Sequence, residues 1–367
     1  MKLKILVAYM CCMFAGTAIY SQSNSGAGIP GAQFANQLIG DLKLDGLSGS
    51  MSAVIIKKDR VIWANAFGYI NYEKGIKADT GTIYRIGSIT KTFTATILMQ
   101  LVEEGKVKLD DAVENFLPEI RSVVGYDTVN KITFRQLASH TSGLNREPQI
   151  SGASLGAVND WEEKLLKCIP YASTYAPPGQ HYLYSNIGYA MLGLALSRVC
   201  GIPYIQMVEQ RIFIPLHMND TFFVLPGDKL DRLALGIDNN KDKINTKTPL
   251  LEINGMGYRV PNGGIFSTST DLAKFVISLM GTPALLTADS RSEMEAIPPG
   301  GNRYGLGLKI YNPQNFAGIG HNSSEPGYTA QFMIDKRSDY AVIILRSYNK
   351  GATDLEKICL NLLQSLE

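Results

Sequence analysis

Strand-like segments lie near both ends of this 367-residue chain, with helical patterns between them. Residues 49–70 read GSMSAVIIKKDRVIWANAFGYI, where two apolar runs flank the turn-compatible pair Lys58-Asp59 and predict a β-hairpin. Towards the C-terminus, YGLGLKIY, QFMIDK and YAVIILRS are strand-like, and residues 353–366 are patterned as an amphipathic helix. We therefore predict an α+β fold: one antiparallel sheet from both chain ends, flanked by helices, plus a helical lobe.

Helical patterns dominate the middle of the chain. Residues 88–104 place apolar side chains at helical spacing before Gly105, and residues 186–199 do so before Gly201. A further helix is predicted over residues 271–280. No internal repeat or break in composition divides the chain into separable units.

The first 22 residues predict a secretory signal peptide. Lys2 and Lys4 precede an apolar stretch too short to span a bilayer, and small and polar residues follow it. Cys11 and Cys12 lie within this stretch without a lipoprotein-type motif, so removal is expected rather than a lipid anchor. We expect an exported protein, periplasmic or secreted, without a stable membrane anchor.

The remaining residues are interpreted as a lead-in segment with a first helix (23–45) and a single domain (46–367). A formal net charge of +2 and dispersed basic residues argue against a nucleic-acid partner. The four histidines show no metal-ligand spacing, so neither a metal site nor a cofactor is predicted. Cys168, Cys200 and Cys359 allow at most one disulfide and are interpreted as small buried hydrophobes.

A serine and a lysine three residues apart, Ser88 and Lys91, lie where a helix is predicted to begin. Residues i and i+3 share a helix face, so the amine can reach the hydroxyl. A lysine takes a serine proton only where burial or neighbouring cations lower its pKa. The same spacing recurs at Ser347 and Lys350, but there it ends a strand, where the two side chains point to opposite faces.

A second candidate element is Tyr184-Ser185-Asn186, at the start of the second long helical pattern. A phenol beside a lysine ammonium ionises more easily and could act as general base or acid. The amide of Asn186 could donate to a substrate carbonyl and help to hold the lysine. Alternatively, Asn186 is only a helix N-cap and Tyr184 a core aromatic.

The third element is GIGHNSSEPGYTAQFMID, residues 318–335, where a turn separates two strand-like runs. A strand edge beside a pocket can supply backbone N–H groups to an oxyanion and pair with an extended substrate. His321 could instead be an ordinary turn residue. The absence of a Gly-x-Ser-x-Gly elbow around Ser88 argues against an α/β-hydrolase.

The order and spacing of these elements resemble the penicillin-recognising serine hydrolases of the class C β-lactamase type. That group includes D-Ala-D-Ala carboxypeptidases, D-aminopeptidases and esterases of the β-lactamase fold. The resemblance runs from about residue 50 to the C-terminus and includes YRIGSITKTFTA, VKLDDAVENFLPEI, ITFRQLASHTSGL, YAPPGQHYLYSNIGYAMLGLAL and NGGIFSTSTDLAKF. It implies a β-lactamase/transpeptidase-like fold.

The resemblance also implies roles for individual residues. Ser88 would be the acylated nucleophile, Lys91 the group that shares its proton, and Tyr184 a residue of acylation and water activation. Asn186 would contact Lys91 and the substrate amide. The backbone N–H groups of Ser88 and Ser324 would form the oxyanion hole. The segment SHTSGL, residues 139–144, is interpreted as structural, with Gly143 suited to a helix C-cap.

The sequence departs from the family pattern in the third motif. His321-Asn322-Ser323 stands where the family has Lys-Thr-Gly or His-Thr-Gly, and Ser323 adds a side chain where glycine is usual. Histidine in place of lysine weakens the charge that would hold a substrate carboxylate.

We therefore expect an exported serine hydrolase that acts on an amide or ester of a small molecule or peptide. The alternatives are a β-lactamase or D,D-carboxypeptidase, and a sensor module that keeps the fold without turnover. The loop at residues 145–160 is expected to border the site.

Overall fold

A computed structural model describes residues 30–46, 49–240, 243–313 and 316–366, so the predicted signal peptide lies outside the described residues. The strands are β1 (Ser50–Lys57), β2 (Arg60–Asn71), β3 (Ile76–Lys77), β4 (Tyr84–Arg85), β5 (Asp238–Asn240), β6 (Lys243–Asn245), β7 (Phe266–Ser267), β8 (Lys309–Tyr311), β9 (Gly318–Glu325), β10 (Tyr328–Asp335) and β11 (Tyr340–Arg346). The helices are α1 (Pro30–Asp45), α2 (Thr90–Glu103), α3 (Phe134–Ala138), α4 (Trp161–Cys168), α5 (Asn186–Cys200), α6 (Tyr204–Val208), α7 (Lys247–Leu251), α8 (Val260–Gly263), α9 (Ser269–Leu279), α10 (Ala288–Glu295) and α11 (Leu355–Ser365).

Strands from both chain ends form one sheet, as predicted. Among the described residues it has seven strands in the order β3-β2-β1-β11-β10-β9-β8. Strand β1 pairs with its hairpin partner β2 and, on its other side, with β11, where Met51 lies opposite Arg346. All of these pairings are antiparallel. The α+β fold class is confirmed, with the helix-rich middle of the chain packed beside the sheet.

The inner strand β1 is buried on both faces because helices cover both sides of the sheet. Ile55 belongs to a cluster with Phe34 of α1 and Leu362 of α11, whereas Val54 and Ile56 belong to the larger core beneath the helical lobe. Alternate side chains of a strand point to opposite faces, which explains the division. The apolar run of β1 is thus a two-sided core strand.

The helices that carry the candidate residues begin and end close to the predicted positions. A 3-10 turn, Gly87–Ile89, leads into α2. Helix α5 begins at Asn186, and Ser185 is its N-cap, because the Ser185 hydroxyl accepts from the N–H of Gly188. The interpretation of Asn186 as an N-cap is therefore wrong. Helix α5 ends at Cys200, and its C-cap Gly201 has a left-handed φ of 67°.

The predicted C-cap at Gly143 is wrong. Helix α3 already ends at Ala138, with Ser139 as its C-cap. Gly143 lies in the following loop with φ of 77°, and a Cβ there would lie 1.9 Å from the carbonyl oxygen of Ala176. Glycine is needed here because two backbone segments approach closely.

The three cysteines considered from sequence are all free thiols: Cys168 and Cys359 are buried and Cys200 is partly exposed. Within the described ranges, no single helix is long and apolar enough to cross a membrane; α5 and the segment Tyr204–Phe213 meet that criterion only together, bent by 79°.

Candidate active site

The serine and the lysine of the first element meet at the start of α2. Ser88 lies in the 3-10 turn with a small exposed fraction of 8%, and Lys91 lies in the first turn of the helix, fully buried. The Lys91 Nζ donates to Ser88 Oγ at 3.1 Å and to the backbone carbonyl of Asn262 at 2.9 Å. The amine is therefore held in place to exchange a proton with the serine hydroxyl.

Burial lowers the pKa of Lys91 well below its ordinary value. The Glu325 carboxylate opposes this shift, whereas the Arg259 guanidinium adds to it. A lysine with a lowered pKa is neutral in a larger fraction of molecules near neutral pH, and only the neutral amine can accept the serine proton. The electrostatic requirement stated for this pair from sequence is met.

Tyr184 lies beside this pair at the end of the loop that precedes α5. Its ring centroid is 4.8 Å from Lys91 Nζ, and its hydroxyl interacts with that of Ser88. Burial raises the pKa of Tyr184, and the hydrogen bond with Ser88 opposes this only in part. The expectation of easier ionisation is wrong, because desolvation outweighs the effects of Ser88 and the Arg146 guanidinium, which lower the pKa. The phenol keeps its proton and is suited to donate it.

Asn186 does not contact Lys91 as the resemblance implied. Its side-chain Nδ2 instead donates to Glu147, and its buried Oδ1 has no hydrogen-bond partner among the described residues. The backbone carbonyl of Asn262 holds the lysine instead, and the Asn262 side chain donates to the backbone carbonyl of Asn186 at 2.9 Å. Asn186 thus borders the site with an acceptor oxygen that no described residue hydrogen-bonds.

The third motif lies on β9, whose pairing with β8 stops at Gly320. Beyond that residue β9 has no described strand on this side, so residues 321–325 present an edge beside Ser88. Ser323 turns towards Ser88, because the N–H of Ser88 donates to Ser323 Oγ at 3.0 Å. Ser324 is exposed, and its proposed backbone role in an oxyanion hole stays a prediction.

His321 is fully buried and uncharged. Its Nδ1 donates to the carbonyl of Asn322 at 2.7 Å, so its Nε2 accepts from the Tyr304 hydroxyl at 2.8 Å. Burial lowers the pKa of His321 to about 3, with a smaller contribution from Lys91. This histidine therefore provides no positive charge on β9 near neutral pH.

Two charged pairs around the site could not be assigned from sequence. Arg259 forms an ion pair with the buried Glu325 at 3.1 Å. The loop that follows SHTSGL places Arg146 over the Tyr184 ring, 4.8 Å from its centroid, and Glu147 against Asn186, so this part of the loop at residues 145–160 borders the site as expected. No spacing pattern linked these residues to Ser88, since the fold alone brings them together.

His140 was also missed. It is buried, with its ring centroid 4.1 Å from that of Tyr184, and its Nδ1 accepts from the backbone N–H of Ser185 at 3.0 Å. Burial, with Lys91 nearby, lowers its pKa well below the ordinary value. A neutral imidazole thus positions the Tyr184 ring. The only sequence signal for His140 was its position in the segment SHTSGL.

A metal centre finds no support in the part of the chain that the structure describes, where no group of three or more His, Cys, Asp or Glu side chains could hold an ion. The proton chemistry available at the site is that of a serine, a lysine and a tyrosine.

Comparison with known proteins gives a consistent result. The family model described as Beta-lactamase matches residues 35–362. Beta-lactamase-like protein 4 of Dictyostelium discoideum is 34% identical over 253 residues, which are 65% of this chain and 43% of that protein. The matches cover less than two thirds of the first curated relatives, at most 61% for the staphylococcal Protein flp.

Solved structures of other proteins share the fold. The octameric penicillin-binding protein homologue from Pyrococcus abyssi is 25% identical, with a TM-score of 0.75 over 91% of this chain and 77% of that chain. The β-lactamase/D-alanine carboxypeptidase from Yersinia pestis is 24% identical, with a TM-score of 0.76 over 93% of this chain and 99% of that one.

Proposed function

Because the chain belongs to the Beta-lactamase family, we propose that it is a serine hydrolase that cleaves an amide or ester bond through an acyl-enzyme on Ser88. One observation carries this proposal: the 3.1 Å contact between Ser88 Oγ and the Nζ of a fully buried lysine whose pKa is lowered. A weak nucleophile needs an adjacent base of this kind.

The proposed reaction begins when Ser88 Oγ attacks the substrate carbonyl carbon and its proton moves to Lys91 Nζ. The negative oxygen that forms is stabilised by the N–H of Ser88 and, as we infer, that of Ser324. The tetrahedral intermediate collapses when the leaving amine or alcohol takes a proton, which the protonated Tyr184 is placed to donate. Tyr184 is then reprotonated from Lys91. Water attacks the acyl-enzyme by the same steps in reverse order and releases the acid.

We further propose that the substrate is an amide or ester whose binding does not require the third motif to hold a carboxylate. This proposal rests on His321, which is neutral where the family's lysine would be charged. The β-lactamase/D-alanine carboxypeptidase activity named for the Yersinia pestis protein is thus the less favoured alternative here.

The acyl-enzyme proposal is tested by intact-mass spectrometry of the purified protein after treatment with a fluorophosphonate and, separately, with a penicillin. We expect the fluorophosphonate to add one adduct to the wild type and none to Ser88→Ala. The penicillin should add little or none.

Each other outcome has a definite meaning. Absence of a fluorophosphonate adduct on the folded wild type would overturn the acyl-enzyme proposal and favour a binding module without turnover. A penicillin adduct that forms and then hydrolyses within minutes would contradict the substrate proposal and favour a β-lactamase or carboxypeptidase.

We also propose that the protein is exported, on the basis of the basic and apolar pattern in residues 1–22. Expression of the full chain in a bacterium followed by fractionation should place a protein shortened by about this segment outside the cytoplasm. Recovery of the full-length mass from the cytoplasm alone would contradict export.

A further inference from the structure

The inward side chains of β9 lie against the nucleophile. Because strand side chains alternate, Ser323 and Glu325 face the turn that carries Ser88, while Ser324 between them is exposed. A Cβ built on Gly87 would lie 2.2 Å from Ser323 Oγ and 2.5 Å from Cγ of Glu325. The side chains of β9 therefore fill the space directly above the backbone of the Ser88 turn.

The hydroxyl of Ser323 takes the hydrogen bond that an acyl oxygen needs. The N–H of Ser88 donates to Ser323 Oγ at 3.0 Å, and Ser323 is only 7% exposed. In the proposed reaction the same N–H must point at the carbonyl oxygen of the substrate. One N–H has one favoured direction, so the hydroxyl and the acyl oxygen compete for a single position.

We propose that Ser323 is a specificity-determining residue whose hydroxyl occupies the oxyanion position of the free protein and must be displaced by the carbonyl oxygen of each acyl donor. This inference rests on the proposed function. Displacement requires Oγ to leave the N–H of Ser88, while Cβ stays at the strand edge. Acyl donors with no bulky group next to the carbonyl are accommodated, whereas fused-ring donors, such as penicillins, clash with the remaining side chain.

The energetic cost of displacement is modest for a slender donor. A neutral hydrogen bond of this kind contributes about 1 kcal/mol, so its loss slows acylation by about five-fold. A donor that also clashes with Cβ is slowed further. Two truncations separate these contributions: Ser323→Ala removes only the hydroxyl, and Ser323→Gly removes Cβ as well.

The test compares second-order rate constants for acylation of Ser88 by an alkyl fluorophosphonate and by a penicillin, measured by mass spectrometry. Ser323→Ala should react about five-fold faster than wild type with the fluorophosphonate, whose phosphoryl oxygen uses the same position. Ser323→Gly should react faster still. Relative to Ser323→Ala, its rate constant should increase more with the penicillin than with the fluorophosphonate. Ser323→Thr, which keeps a hydroxyl, should react no faster than wild type.

Ser292→Ala, on the exposed face of α10, serves as the matched control and should react at the wild-type rate. Melting temperatures of all variants identify any that fail to fold, and Ser323→Thr provides the second folded comparison. If wild type, Ser323→Ala and Ser323→Gly are labelled at the same rate, the proposed role of Ser323 is overturned and the proposed function stays intact. Slower labelling of Ser323→Ala would also overturn it, since the hydroxyl would then assist the oxyanion. Absence of labelling in every variant would overturn the proposed function itself.

Discussion

At the residue scale, the buried lysine links the chemistry of the site to the stability of the fold. The folded-state pKa of Lys91 lies well below its ordinary value of 10.5, so between these two values the unfolded chain binds one more proton at this residue than the folded protein. Stability therefore rises with pH in this window, by up to about 1.4 kcal/mol per pH unit from this group, and the slope disappears below the folded-state pKa.

We predict that Lys91→Met abolishes labelling of Ser88 and is more stable than wild type at pH 7. The variant keeps the volume of the side chain and removes a buried amine whose charged form is disfavoured. The stability difference from wild type should shrink as the pH rises from 7 towards 10. Urea unfolding at several pH values measures it.

Lys108→Met is a suitable control, because Lys108 is exposed and its loss should change stability by less than about 0.5 kcal/mol. Parallel stability curves for wild type and Lys91→Met across this pH range would contradict a lowered pKa for Lys91.

Sequence reasoning at this scale succeeded where local spacing determines geometry. Ser88 and Lys91 are one helical turn apart, so their contact follows from the helix alone. Sequence reasoning did not predict the second partner of Lys91. This partner is the backbone carbonyl of Asn262, and every residue type carries such a carbonyl. The direction of the Tyr184 pKa shift was also missed, since desolvation depends on everything packed around the ring.

At the scale of elements, α5 must approach α8 closely to place Asn186 and Asn262 together, and Gly193 makes this approach possible. A Cβ on Gly193 would lie 2.4 Å from Cγ of Pro261. We predict that Gly193→Ala destabilises the protein by about 1–3 kcal/mol through overpacking, and slows labelling because the carbonyl that holds Lys91 shifts. Chemical denaturation and the labelling rate measure the two effects.

Gly40→Ala in α1 provides the matched comparison, since no atom of the described residues lies within 4 Å of a Cβ built there. Alanine is the better helix former, so this variant should gain about 0.5–1 kcal/mol and label like wild type. Equal stability changes for the two substitutions would contradict the close approach of α5 and α8.

The helices were predictable from their periodicity and from their glycine ends, as at Gly105 and Gly201. The first residues of the helices were harder to predict, because the N-cap is the residue whose side chain accepts a hydrogen bond from the backbone of the first turn. At α5 that side chain is Ser185, whose hydroxyl also donates to the carbonyl of Asn145 at 2.7 Å. This second contact fixes the loop that carries Glu147, and it joins residues 40 positions apart that no local pattern relates.

At the scale of the whole molecule, pairing of distant strands was predicted because apolar strand patterns occur near both ends of the chain. The prediction did not include the polar contacts that fasten α1 to the last strand. Asp45, the last residue of α1, accepts hydrogen bonds from Tyr348 at 2.6 Å and Thr353 at 2.8 Å. It also forms an ion pair with Arg346 at 3.2 Å, in which the two side chains are 4% and 0% exposed.

We predict that Asp45→Ala destabilises the protein by about 3–5 kcal/mol, because the charge of Arg346 is then left buried without its partner. The loss should be much smaller when Arg346→Met is added, since the double variant buries no unpaired charge.

Asp59→Ala, in the exposed hairpin turn, controls for the loss of one acidic residue and should stay within about 0.5 kcal/mol of wild type. Denaturant unfolding followed by circular dichroism measures all five proteins: wild type, Asp45→Ala, Arg346→Met, the double variant and Asp59→Ala. Additive losses in the double variant would show that Asp45 and Arg346 act independently, and would contradict a coupled pair that joins the first helix to the final strand.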